Sequence, residues 1–217
     1  MIVINNETLS KLADMLNKNN IVWGIGGSYL LHIYGLYDSP NDLDIWIQPK
    51  DMGTVKKIFN NFEKIKSDIQ LPEEYHLKIN FFDIEVDFVS CFIITPNQNK
   101  FNYNISPETV YDKFLINNVQ IFCTTLEDWY LIYKILKREN KASIIEKVFT
   151  EKKIPLSEKM MHANLSRIDN NIQRRVRKDA NKLIEDATQY SLTDYINYKN
   201  KEKNNGSNDS AAEDSIK

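Results

Sequence analysis

Four short segments constrain the fold of this sequence more than any other feature. In Leu43–Ile47, Leu77–Phe81, Ile84–Val89 and Val119–Phe122, apolar residues recur at every second position. Period-two patterning over so short a run predicts half-buried strands rather than helices. A fifth apolar piece, Ile21-Val22-Trp23, runs into Gly24-Ile25-Gly26-Gly27. Between these pieces the period changes. Leu9, Leu12, Met15 and Leu16 share a helical face, as do Val55, Ile58, Phe59 and Phe62. Ser28 to Gly35 reads as a brief helix with Ser28 as its cap, and Asp38-Ser39-Pro40-Asn41 as a turn. Thr125-Leu126-Glu127-Asp128 has the capping-box spacing and opens a helix through Trp129, Ile132, Tyr133 and Leu136. No strand pattern follows residue 123.

The predicted fold is therefore mixed α/β (α+β), a small mixed β-sheet flanked by helices and followed by a helical C-terminal region. We expect a core over 1–123, with an Asn-rich polar loop before its last strand, then a helical region over 124–197. Residues 198–217 have almost nothing to bury and are expected to be disordered. Of the 217 residues, 42% are hydrophobic and 27% charged, enough to fill a core. The formal net charge of -2 gives the chain as a whole no electrostatic footprint of a nucleic-acid binder. Cys91 and Cys123 each sit among apolar residues and read as buried thiols, not as a disulfide or zinc framework. No basic-then-apolar leader opens the sequence, and no apolar stretch approaches the roughly 20 residues that span a bilayer. The expected location is the cytoplasm, with no membrane partner.

Three features carry chemistry. Gly26-Gly27-Ser28 lies between a strand and a helix, where glycine permits close backbone approach and a helix start offers free amides to phosphate. Taken alone, such a pair is as well explained by a tight turn. Asp42-Leu43-Asp44 heads a strand, and alternate positions point the same way, so the two carboxylates share a face. Paired carboxylates repel unless a cation lies between them, and hard oxygen donors suit magnesium. In Asp83-Ile84-Glu85-Val86-Asp87-Phe88-Val89, the apolar residues take one face and Glu85 and Asp87 the other. A solvated sheet face and a third metal carboxylate are both compatible with that pattern.

Together these residues resemble the nucleotidyltransferase superfamily that includes DNA polymerase beta and small antibiotic nucleotidyltransferases. Its pattern is Gly-Gly/Ser, a spacer, Asp-x-Asp, and later a lone acid between hydrophobic residues. Here Gly27-Ser28 is followed after thirteen residues by Asp42-Leu43-Asp44, and then by Val86-Asp87-Phe88. The stretch Trp23 to Leu36 looks like the bacterial branch, with its abortive-infection toxin-type proteins and lincosamide-modifying enzymes. Leu126-Glu127-Asp128, with Lys134 further along the helix, matches a pattern of that branch. The resemblance covers roughly residues 21–138. The chain departs from it in lacking an arginine before Asp-x-Asp, and in having Asn140-Lys141 where toxin-type relatives have Lys-Asp.

The resemblance implies a polymerase-beta-like core and transfer of a nucleoside monophosphate from an NTP to a hydroxyl, releasing pyrophosphate. Asp42 and Asp44 would hold two Mg2+ ions, and Asp87 would ligate the ion nearer the acceptor and take its proton. Gly26, Gly27 and Ser28 would cradle the outer phosphates, with Lys134 as a further nucleotide contact. Arg138 reads more readily as a solvated face, His32 as structural, and His76 and His162 receive no role. Arg174, Arg175, Lys178 and Lys182 line one side of a helical segment, a solvated face or a weak pointer to a nucleic-acid acceptor such as tRNA. The acceptor stays open among RNA, protein (both toxin-like) and a small hydroxylated compound such as an antibiotic. The alternative reading is a catalytically silent nucleotide-binding relative that regulates or binds a partner.

Overall fold

The computed structural model describes residues 4–66, 72–90, 92–94, 101–103, 105, 110, 112–151, 153–166, 168 and 170–187. Cys91 and the expected loose tail at 198–217 lie outside them.

Asn5 opens the first helix by accepting the Thr8 amide at 2.7 Å. Helix α1 (Asn6–Lys18) then buries Leu9, Leu12, Ala13 and Leu16. The chain passes into β1 (Trp23–Ile25), the short helix α2 (Gly27–Ile33) and β2 (Leu43–Ile47). After α3 (Met52–Ile58) come β3 (Glu63–Lys64), β4 (His76–Phe81) and β5 (Ile84–Val89). Two strands, β6 (Phe92–Ile94) and β7 (Phe101–Tyr103), pair as a separate ribbon. Next come β8 (Asp112–Ile116), β9 (Val119–Cys123), α4 (Leu126–Ile135), α5 (Glu139–Thr150), α6 (Glu158–Leu165) and α7 (Asn170–Ala187).

The main sheet has seven strands in the order β3-β4-β5-β2-β1-β9-β8. It is mixed, as expected from the sequence: β2 runs parallel to β5 and β1 to β9, and the other pairs are antiparallel. One face of its β4–β5–β2 part carries Leu77, Ile79, Phe81, Val86, Phe88, Leu43, Ile45 and Ile47, all buried. Phe59, at the end of α3, closes this face against Phe88 and Phe81, with ring centroids 4.9 and 5.8 Å apart. Aromatic pairs at such distances add to the burial of their area. The opposite face carries the polar members of the same strands.

Several sequence expectations shift. The stretch read as an Asn-rich loop contains β6, β7 and β8, strands of three to five residues, too short to show a period. The β8–β9 hairpin turns on Asn117 and Asn118, whose φ values of 50° and 62° are a left-handed conformation that Asn tolerates. Ser28 is not the cap of α2. Gly26 occupies that position without a side-chain bond, and Ser28 sits in the first turn. The Thr125 helix stops at Ile135, and Lys137, at φ 57°, redirects the chain into α5. Thr125 does cap α4, accepting from the Asp128 amide at 3.2 Å. Asp128 itself turns to Asn164 of α6, and Glu127 accepts the Ser157 amide at 2.6 Å. The Leu-Glu-Asp stretch thus ties α4 to the helices beyond it. Among the described residues, no helix is long and apolar enough to cross a membrane.

Candidate active site

The parallel register of β2 and β5 places Leu43 against Val86 and Asp44 against Asp87. Side chains alternate along each strand, so residues paired in register share a face. Asp44 and Asp87 therefore project together from the polar side of the sheet. Asp42, just before β2, joins them. Each of the three acids offers an oxygen, and these oxygens all lie within 4.8 Å of one another. Asp87 is buried at 1% exposure, while Asp42 and Asp44 are half-buried.

The glycines are explained first by this carboxylate cluster. Gly27 has φ +62°, and a Cβ built on it would lie 1.6 Å from Asp44 Oδ2. Only glycine accepts both the conformation and the contact. A Cβ on Gly26 would lie 2.3 Å from the Trp129 ring and 2.7 Å from that of Trp46. The Gly26 amide donates to the Asp44 carbonyl at 2.9 Å, fastening the turn to β2. Trp46 and Trp129 meet edge-on at 5.7 Å, and Trp129 Nε1 donates to Thr124 Oγ1 at 2.8 Å. The close approach read from the sequence is thus, in part, the approach of backbone to a carboxylate of the same chain. Ser28 is nearly buried beside it, at 6% exposure.

Burial and the Asp42 and Asp87 charges push the Asp44 carboxyl up to about 7. Asp42 is also raised, chiefly by burial. Two cations oppose the effect on Asp44, Lys141 and Arg138, both from the α4–α5 junction. The Lys141 ammonium lies 5.2 Å from the Tyr37 ring centroid and 5.6 Å from that of Tyr133, a cation–π arrangement. The Tyr133 hydroxyl is fully buried with no hydrogen-bond partner among the described residues. Its phenol is pushed up by burial and by the Asp44 charge. Lys137 to Lys141 line an open cavity of about 360 Å³ at this junction.

Hard carboxylate donors, mutual repulsion and an unsatisfied hydroxyl beside them all fit a bound divalent cation and its ligands. The triad can hold a metal. Lys134, by contrast, is placed in ion pairs with Glu139 and Asp179, both at 2.7 Å. It braces α4 against α5 and α7.

His76 is the residue that sequence reasoning missed. Its Nε2 bonds Asp87 Oδ1, and both side chains are almost fully buried. The pairing comes from the hairpin that joins β4 to β5 through Phe82 and Asp83, and that two-residue spacing is the signal that could have found it. Of the other histidines, His32 is exposed with Nδ1 2.9 Å from the Tyr37 carbonyl, and His162 is exposed beside Glu158. Arg174, Lys178 and Lys182 are exposed on α7, while Arg175 bonds Glu139 at 3.0 Å and the Lys134 carbonyl at 3.2 Å.

The sequence matches no family model and no curated protein. Among solved structures, the chain is similar to a candidate nucleotidyltransferase from Thermotoga maritima. Identity is 20%, over 67% of this chain and 92% of that one, with a TM-score of 0.49. It is similar to ANT(2″)-Ia in complex with adenylyl-2″-tobramycin, at 13% identity, 75% and 97% coverage and a TM-score of 0.47. It is also similar to the lincosamide antibiotic adenylyltransferase LnuA, at 9% identity, 67% and 98% coverage and a TM-score of 0.46.

Proposed function

We propose that this chain is a magnesium-dependent nucleotidyltransferase that moves a nucleoside monophosphate from an NTP to a hydroxyl acceptor. The observation that carries the reading is the registered Asp44–Asp87 pair with Asp42 beside it, three carboxylates whose oxygens lie within 4.8 Å of one another. Asp42, Asp44 and Asp87 would hold the metal. When bound, magnesium would supply positive charge that stabilises the attacking and leaving oxygens of an in-line displacement.

In the transfer, the acceptor oxygen bonds to the α-phosphorus as the bond to the bridging oxygen breaks and pyrophosphate leaves. Asp87 accepts the proton of the attacking hydroxyl. The backbone at Gly26 and Gly27 lies against Asp44, where it and Ser28, the next residue, would meet the triphosphate. Lys141 and Arg138 are the cations set against the acids, and they would balance the outer phosphates. Lys134 serves in this scheme as a brace, held by Glu139 and Asp179.

Labelled NTPs and a cell extract test the reaction class. Label in the α-phosphate should pass to an acceptor fraction with Mg2+ and fail to pass with EDTA. Fractionation then assigns the acceptor to RNA, protein or a small hydroxylated compound. Transfer of γ-label instead would make the chain a kinase. Stabilisation by Mg2+ and NTP without transfer would favour the nucleotide-binding, catalytically silent alternative.

A further inference from the structure

The antiparallel register of β4 and β5 sets Lys78 opposite Asp87 and His76 opposite Val89. His76 and Asp87 are therefore diagonal neighbours on the polar face, within reach of each other. Lys78 is the cation directly across from Asp87, yet its ammonium pairs with Glu85 at 2.8 Å. The group given to Asp87 is the His76 imidazole, through Nε2 to Oδ1. The start of β4 is itself pinned. The Ser90 amide and hydroxyl both donate to the Tyr75 carbonyl, at 2.9 and 3.1 Å, and Ser90 is fully buried. A double bond to the residue before His76, from the strand that carries Asp87, fixes the ring relative to the carboxylate.

Resting on the metal-site reading above, we propose that His76 is a positioning residue for Asp87. A ring with hydrogen on Nε2 donates to Oδ1 and commits that oxygen to the protein. The second oxygen has no protein hydrogen bond among the described residues and is left for the cation and the acceptor hydroxyl. The carboxylate is thereby oriented by a directional donor from the neighbouring strand. Partners that orient metal ligands in this way typically govern metal affinity or activity by about 10–100-fold.

The test measures Mn2+ binding to the nucleotide-free chain by electron paramagnetic resonance, alongside kcat and KM for pyrophosphate release. Wild type, His76→Phe, His76→Gln, His76→Asn and Asp44→Asn are compared. In His76→Phe the Mn2+ dissociation constant should rise and kcat fall, each by about 10–100-fold, with the NTP KM at saturating metal within about threefold of wild type. A glutamine amide nitrogen reaches near the Nε2 position and an asparagine nitrogen does not. His76→Gln should therefore recover most of both losses, and His76→Asn should not. Equal behaviour of Gln and Asn, or wild-type Mn2+ affinity in His76→Phe, would overturn the positioning role. If wild type binds Mn2+ and Asp44→Asn does not, that failure leaves the metal site standing. No Mn2+ binding by wild type would overturn both.

Discussion

Asp44 and Asp87 face each other in register across the parallel strands β2 and β5, with Asp42 completing a cluster whose oxygens lie within 4.8 Å of one another. Parallel pairing between these strands places two acids, more than forty positions apart in the sequence, side by side on the polar face of a sheet. The opposite face of the same strands is packed with apolar side chains. Strand slippage is disfavoured, because moving β5 by one residue would turn its apolar set toward the polar side. The core thereby holds the acids together against their repulsion.

Replacing an acid should separate folding from chemistry. In Asp44→Asn we expect pyrophosphate release to fall by at least about 10²–10³-fold, a loss typical of removing one electrostatic element of a reaction site. Its metal-free melting temperature at pH 8 should equal or exceed that of wild type, since one repelling charge is gone. Circular dichroism melts and a turnover assay on the same preparation check both parts.

The Asp44 carboxyl sets a pH dependence of the metal-free protein. It is raised from 3.8 to about 7 on folding, so the folded chain holds this proton more tightly than the unfolded one. Its stabilising contribution is whole at low pH, declines as pH climbs from the unfolded value, and is lost once pH passes about 7. Between pH 5.5 and 8 the melting temperature should drop by a few degrees, about 2–4 °C for each kcal/mol lost in a chain of this size. Saturating Mg2+ should flatten that slope, and Asp44→Asn should lack it. An Asp44→Asn profile as steep as wild type would assign the slope to other groups.

Gly27→Ala places a methyl group 1.6 Å from Asp44 Oδ2 at a residue with φ +62°. The backbone strain alone costs on the order of 1–3 kcal/mol, and the carboxylate must move. Denaturant unfolding should show a loss of at least that size. Thermal shift by Mg2+ should disappear, whereas Gly53→Ala, where a Cβ meets nothing within 4 Å, should keep it.

The two lysines near the α4–α5 junction should part company. Lys134→Ala removes ion pairs to Glu139 and Asp179 and should cost about 1 kcal/mol, the upper range for partly exposed pairs. Its NTP KM should stay at the wild-type value. Lys141→Ala, which removes a cation facing Asp44 and Asp42, should raise the NTP KM about tenfold, the equivalent of one lost charge-assisted contact. The reverse pattern would return Lys134 to the nucleotide site.

The legible parts of this molecule were those written in local pattern. Alternation in Leu43–Ile47 and Ile84–Val89 marked both site strands, and it set each acid on the polar side. Thr125 announced the start of α4 by its capping chemistry. Pairing between strands distant in sequence, β2 with β5 and β1 with β9, was not legible. His76 meets Asp87 across the β4–β5 hairpin, for which the two-residue Phe82-Asp83 turn was the available sign. Lys134 looked like an active-site lysine by its place on α4. In the structure its ammonium pairs with Glu139, five residues on across the Lys137 turn, and with Asp179 of the distant α7, while Lys141 is a cation set against Asp44. The strands β6 to β8 were hidden because they are only three to five residues long, and Phe92-Ile93-Ile94 and Phe114-Leu115-Ile116 are apolar runs without alternation. The Asn117-Asn118 pair was the one available sign of a hairpin there.

Release of pyrophosphate from each of the four NTPs, with cell extract as acceptor, tests the central claim most directly when wild type and Asp87→Asn are compared with Mg2+ and with EDTA. We expect release from wild type with Mg2+ alone, and background from Asp87→Asn under both conditions. Release that persists in folded Asp87→Asn, or in wild type with EDTA, would contradict a carboxylate-held metal as the basis of this protein's chemistry.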